Sequence, residues 1–395
     1  MSFFAQADYS LNKFFMSATG LWPYQSMTWR IFICLFCTFM NITMILTMFI
    51  GILTCDELDD KIKLIAPMLT GVASGARFFN CLLNSNRMKH LLEQVKSDWS
   101  LLTDTEYFIL KQFSRRGRNL TIIYEVYLYC NLVVYFVNGA SPKLLNIVRP
   151  LNETRPLIRT YRSNYFLNEE NYYFHMLLHE YIASFINITT MLSVDTMYAV
   201  LTEHVCGMFT ILRHRLENII QNNKCNLEIE DSLEEKDRIV NVTMNCITLH
   251  QRNIEFANTL DDAFSNSLLL QISINIVSLS ITGYMIILKL DKLDECMLFC
   301  SFTLTLLILM LYSCIPGEKL QNYSIDAVNS VFDSLWYNMS VKNQKQLMLM
   351  MVRSGRSCKL QAGKLFVLSL EFYTSCIQTS FSYLTMLLTM RKNGQ

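Results

Sequence analysis

Residues 362–390 read AGKLFVLSLEFYTSCIQTSFSYLTMLLTM, and this last apolar run decides the fold. It is too long and apolar for an ordinary core helix and suits the thickness of a bilayer core. It also carries a semi-polar stripe, because Thr379, Ser382, Tyr383, Met386, Thr389 and Met390 recur at helical spacing on one face. A span that is apolar on one side and semi-polar on the other is suited to line something wet.

Six further apolar segments precede it, at about 30–53, 63–83, 119–138, 173–198, 264–288 and 296–315. The expected fold is therefore an all-α membrane protein, one domain over residues 1–395 with seven transmembrane helices. The second and fourth segments carry more polar residues, so they are expected to face a bundle interior rather than lipid. Composition agrees: 52% of residues are hydrophobic and 17% charged, against about 25% charged in soluble domains. The net charge of +1 gives no field for nucleic acid. Many of the 13 Cys lie inside apolar runs (Cys34, Cys37, Cys130, Cys300, Cys376) and behave as small hydrophobes. Cys55 and Cys296 both fall at the outer face in this count, where pairing is open to them. The N-terminus lacks a charged region followed by a short apolar run, so no cleaved signal peptide is expected.

An odd number of crossings puts the termini on opposite sides. The N-terminal segment and the second, fourth and sixth loops hold about 21 Lys/Arg, and the other loops and the C-terminal tail about 10. The first loop, CDELDD at 55–60, is acidic. The N-terminus is therefore expected in the cytoplasm and the C-terminus outside. The segment with Lys143, Arg149, Arg155, Arg159 and Arg162 runs against this trend, being basic yet external. Of the sequons at Asn41, Asn119, Asn152, Asn187, Asn241, Asn322 and Asn338, only Asn152 falls in an external loop long enough for glycosylation. A G-protein-coupled receptor has the opposite topology. Its Asp-Arg-Tyr-like triplet is also missing here, where the third span ends in Val137-Asn138-Gly139.

Other chemistry finds little support. His175 and His179 stand four apart with Glu180 adjacent, but no third ligand has supporting spacing, so no metal is expected. Cys34-x-x-Cys37 lies mid-span, where redox work is implausible. Phosphate loop, nucleophile elbow and paired carboxylates are all missing, so neither an enzyme nor a cofactor is expected. Glu371 is a charge about ten residues into the last apolar run, with Lys364 and Arg353 as candidate partners. Between the last two spans, residues 317–361 carry Val328, Val331, Phe332 and Leu335, then Leu347, Met350 and Met351, at helical spacing. This amphipathic stretch predicts a helical cytoplasmic base.

Three stretches of the C-terminal third resemble the insect odorant receptor family. They are Pro316-Gly317-Glu318-Lys319-Leu320 with Ser324, Val328, Leu335 and Trp336; Leu347-Met348-Leu349-Met350-Met351 to Arg353; and Ala362-Gly363-Lys364 with Leu368-Ser369, Thr379-Ser380 and Ser382-Tyr383. Asp195-Thr196-Met197, His204-Val205-Cys206 and Leu212 are similar to the end of the family's fourth span. Where the family often has Pro before Ala-Gly-Lys, this chain has Lys359-Leu360-Gln361. Ser382-Tyr383 followed by Thr389-Met390 also resembles the gustatory receptors, whose usual ending has Gln-Phe instead.

The resemblance implies an odour-tuning subunit in a heterotetramer with the family's co-receptor, in the plasma membrane of an olfactory neuron dendrite. It implies a non-selective cation pore lined by the last span, with Ser382, Tyr383, Met386, Thr389 and Met390 along it and Met386 and Met390 at a hydrophobic gate. Neighbouring subunits would cover the amphipathic stretch; membrane lipid is the alternative cover. The ligand is a small volatile odorant held among the outer halves of spans two, three, four and six. By depth and face, Met68, Val72, Tyr127, Asn131, Tyr135, Tyr181, Phe185, Thr189, Phe299 and Phe302 are the candidate contacts.

Overall fold

The computed structural model describes residues 3–5, 8–148, 163–167, 169–225, 233–332 and 336–394. Asn152 lies outside them. The described chain is almost wholly helical: α1 (Ser10–Ala18), α2 (Met27–Thr54), α3 (Leu58–Leu83), α4 (Ser85–Ser100), α5 (Asp104–Val148), α6 (Glu169–Cys225), α7 (Leu233–Leu288), α8 (Leu293–Phe332), α9 (Val341–Ser354) and α10 (Leu370–Gly394). Among these, α2, α5, α7 and α8 contain stretches long and apolar enough to cross a membrane. At about 1.5 Å per residue the longest helices far exceed a bilayer.

The bundle is built around α6. Residues 189–209 are buried on every side of the helix, as expected of a helix wrapped by others. Such a helix can carry polar residues only if each finds a partner. Thr196 and Thr202 donate to the carbonyls of Leu192 and Tyr198 one turn back. Asp195 takes Arg77 of α3, Glu203 takes Lys319 of α8, and His204 meets Asp98 of α4 at 3.1 Å. Asp98 also accepts from Arg252 of α7 at 2.7 Å, so three helices share one carboxylate.

Below the bundle, charged and polar pairs fix the base. Arg215 donates twice to Glu106, at 2.5 and 2.9 Å. Burial, with Arg353 nearby, pushes His250 down to about 4, so the imidazole is neutral; its Nε2 lies 3.0 Å from the Ser354 hydroxyl of α9. At the opposite end Lys289 donates to Asp59 at 2.6 Å. That bond holds the Asp59 carboxyl below the usual range and raises Lys289.

One expectation is corrected: the last apolar run is not one helix. Residues 361–367 form an antiparallel hairpin, β1 (Gln361–Ala362) and β2 (Phe366–Val367), and helix begins only at Leu370. Gly363 and Lys364 both take left-handed backbone, at φ 62° and 61°, and two such residues in succession turn the chain back on itself. The stretch after the sixth span is mostly helical among the described residues. Helix α8 runs through Pro316 to Phe332 before α9 begins. Pro316 removes one N–H from the helical ladder. Gly317 beside it lets the chain cross: a Cβ there would lie 2.4 Å from the Leu368 carbonyl oxygen.

Candidate ligand cavity and pore helix

A cavity of about 640 Å³ lies between α2, α3, α5, α6 and α8. Its walls are mainly aliphatic, and Asn131 and Asn187 place amides on them. The Asn131 amide donates to the Tyr127 carbonyl at 2.9 Å, and its oxygen accepts from Ser301 at 2.8 Å. Asn187 accepts from Asn41 of α2 and reaches the Met44 sulfur at 3.9 Å. A space that is mostly apolar with a few fixed polar groups suits a small, weakly polar ligand.

Beneath this cavity lies a buried ionic cluster. Arg77 donates to Asp195 at 2.9 Å, and the Tyr124 hydroxyl donates to the same carboxylate at 2.8 Å. The Tyr124 ring stacks on Tyr312 of α8 at 4.0 Å. The cavity-lining residues Leu128, Met191 and Leu309 stand about one helical turn from Tyr124, Asp195 and Tyr312. The cluster therefore forms the footing of the cavity and ties α3, α5, α6 and α8 together.

Of the ten expected contacts, Asn131, Tyr135 and Phe302 line the cavity. The other seven are placed elsewhere. Tyr127 turns its hydroxyl to Thr305 at 3.2 Å. Tyr181 donates to the Phe136 carbonyl and stacks on that ring. Phe185 stacks on Tyr129, and Thr189 lies 3.0 Å from the Tyr129 hydroxyl. Met68 packs beside the small cluster of Met40, Met44, Met48, Leu64 and Ala183. Val72 and Phe299 stand outside the lining. Methionines 44 and 48 of α2, which do line it, were missed. The signal was there: Met40, Met44 and Met48 repeat every four residues and all three are buried.

The hairpin sets the start of α10. Asp261 of α7 accepts the Gln361 N–H and the Lys364 ammonium, each at 2.6 Å. Ser265 donates to the Gln361 carbonyl at 2.7 Å and accepts from the Lys364 N–H, while its carbonyl takes the Gly363 N–H. Lys364 is thus held by Asp261 and Asp262, and Glu371 is an exposed residue in the first turn of α10 rather than a mid-span charge.

Helix α10 packs on α7 and α8 through one side only. Cys376 and Ser380 are buried there, the Ser280 hydroxyl donates to the Ser380 carbonyl, and Leu384 fits against Gly283. The other side is open. Gln378, Thr379, Ser382, Tyr383, Met386, Thr389 and Met390 are all exposed, and at about 100° per residue they occupy one half of the helix. Ser382 and Thr389 satisfy their hydroxyls on the carbonyls of Gln378 and Thr385. His179, once a candidate metal ligand, lies within 3.0 Å of the hydroxyls of Thr43 and Tyr165, one at each ring nitrogen. Cys55 and Cys296 are free thiols.

A helical bundle with membrane-spanning stretches, an apolar internal cavity and a peripheral, half-polar helix defines a polytopic membrane protein with room for a small ligand. Its family is clear from comparison. A profile described as 7tm Odorant receptor matches residues 57–381, and the chain belongs to that family. It is 24% identical over 206 residues to Odorant receptor 9a and 21% identical over 332 residues to Odorant receptor 13a, both of Drosophila melanogaster. The chain spans about half of the first relative's length, 49%, and 77% of the second's. Its fold matches the insect olfactory receptor OR5 from Machilis hrabei in complex with eugenol, with a TM-score of 0.80 at 12% identity; the match covers 96% of this chain and 97% of that one.

Proposed function

We propose that this chain is the odour-tuning subunit of a ligand-gated, non-selective cation channel, assembled with the family's co-receptor as a heterotetramer in the dendritic plasma membrane of an olfactory neuron. Seven crossings run from a cytoplasmic N-terminus to an external C-terminus: α2, α3, α5, α6, α7, α8 and α10. Small volatile ligands, chemically comparable to the eugenol held by OR5, occupy the cavity of Asn131, Tyr135 and Phe302. Asn152 is the glycosylated residue of this topology.

One observation carries the channel reading: α10 packs a single side and leaves a side with Gln378, Ser382 and Thr389 uncovered. Hydroxyls that bond their own helix are tolerated in lipid; the Gln378 amide, exposed on the same side, is not cheaply placed there. An aqueous pore shared with neighbouring subunits accommodates it. Met386 and Met390, 55% and 60% exposed and one turn apart, narrow that pore and stop ions by dewetting. The ligand opens it by binding the open state more tightly than the closed one.

Met390→Ala is expected to raise ligand-free current several-fold when the chain is expressed with the co-receptor, because a shorter side chain leaves the constriction wetted. Leak and ion selectivity both unchanged would remove the gate assignment.

A further inference from the structure

Helices α5 and α8 meet through side chains rather than by close backbone approach. Tyr323 of α8 packs on Phe113 and accepts from Arg116 of α5, and from Tyr124 onward the contact is a ladder of three rungs. Tyr124 stacks on Tyr312, Tyr127 meets Thr305, and Asn131 accepts from Ser301. On α5 the rungs fall on successive turns, and on α8 Tyr312 stands two turns from Thr305 and Thr305 one turn from Ser301, so the seam is bridged along this length. Beyond the Asn131–Ser301 rung the side chains change character. Val133, Val134 and Val137 of α5 and Met297 of α8 all line the cavity, yet each is more than half exposed at the surface. The cavity therefore reaches the protein surface through a gap rimmed by aliphatic groups. Both helices contain stretches apolar enough to cross a membrane, and a gap at this depth between two such helices would open to hydrocarbon when they span a bilayer. The cavity also reaches Asn138 and Asp294, exposed polar residues farther along the same helices.

We propose that small apolar ligands reach the cavity from the lipid phase, through the α5–α8 seam above the Asn131–Ser301 rung. The route rests on the reading of this cavity as the odorant site. Its chemistry favours the bilayer over the polar end. Each methylene raises a ligand's equilibrium concentration in hydrocarbon over water by about fourfold, so a volatile apolar molecule is already concentrated at the valine rim. Entry there requires no passage across the hydrated Asn138 and Asp294.

A narrowed passage alters the path and not the end states, so it slows entry and exit alike. Val134→Trp and Met297→Trp place bulk on the two sides of the seam. The probe is 1-aminoanthracene, a small apolar fluorophore, followed by stopped flow on the full-length chain in phosphatidylcholine nanodiscs. Both variants are expected to slow association and dissociation together by about tenfold, with Kd moving by less than about threefold. Ile123→Trp adds the same bulk to the exposed surface of α5 before the ladder and is expected to leave both rates as in the unaltered chain. Unchanged rates in the two rim variants would overturn the route. So would a weaker Kd carried by faster dissociation alone, since the rim would then be holding ligand rather than passing it. If the unaltered chain bound no probe, the cavity assignment itself would fail, and the route with it.

Discussion

Replacing Asp195 with leucine is expected to remove most folded receptor. Asp195 is buried in the bundle and is the counter-charge of Arg77, which is itself only 1% exposed. Without the carboxylate, a guanidinium is left uncompensated in a low-dielectric interior, which costs about 3–5 kcal/mol. The Tyr124 hydroxyl also loses its acceptor, and a stranded buried polar group costs about 1–3 kcal/mol more. Membrane bundles rarely have that much stability to spare. Removing the whole cluster has the opposite expected outcome. Arg77→Met and Tyr124→Phe added to Asp195→Leu remove every member of the cluster and replace it with apolar groups of similar volume. Such a swap is commonly neutral or stabilising, so the triple variant is expected to recover most of the folded fraction. Size-exclusion profiles and thermal melts of the solubilised protein read both outcomes. A stable, monodisperse Asp195→Leu variant would show that the pair is not structural.

The second large effect is expected at Asp261. Its carboxylate accepts from the backbone N–H of Gln361 and from Lys364, and both residues belong to the hairpin that starts α10. The Lys364 side chain is half exposed, so its share is screened and small. The backbone bond is the important one, because a bond to a charged acceptor contributes about 1.5–3 kcal/mol. Asp261→Ala leaves that N–H without its acceptor and loosens the footing of α10, while the Ser265 bonds and the Leu384–Gly283 packing still hold the helix to α7. Odorant-evoked current per receptor at the surface is therefore expected to fall by at least about tenfold, and Asp261→Asn, which keeps an acceptor, by less than about threefold. Equal responses in the alanine and asparagine variants would show that the carboxylate does not position the helix.

The fold was legible in the sequence where a periodic pattern had one physical reading. Long apolar segments define a helical membrane bundle without further help. The start of the last segment is not legible, because Ala362, Leu365, Phe366 and Val367 look like the continuation of an apolar helix. The pair Gly363-Lys364 turns the chain instead, and only one of its members advertises left-handed backbone. The cavity was harder to read. Depth and residue type place Tyr127, Tyr181 and Phe185 near it, yet a rotation of a few tens of degrees decides which side of a helix faces inward. Their hydroxyls and rings settle that rotation through Thr305, Phe136 and Tyr129, contacts between helices that no single chain segment encodes. The ionic cluster shows the same limit. Arg77 and Asp195 each stand out as a charge in an apolar span, but 118 residues separate them.

Water or lipid over the open side of α10 decides between a pore helix and a peripheral one. The direct measurement is thiol modification of Ser382→Cys in intact cells expressing both subunits, with a charged, membrane-impermeant methanethiosulfonate against a lipid-soluble maleimide. A water-lined passage gives rapid modification by the charged reagent, accelerated by odorant, with a matching change in current. Modification by the maleimide alone would place this side of the helix in lipid, and the channel reading would be contradicted.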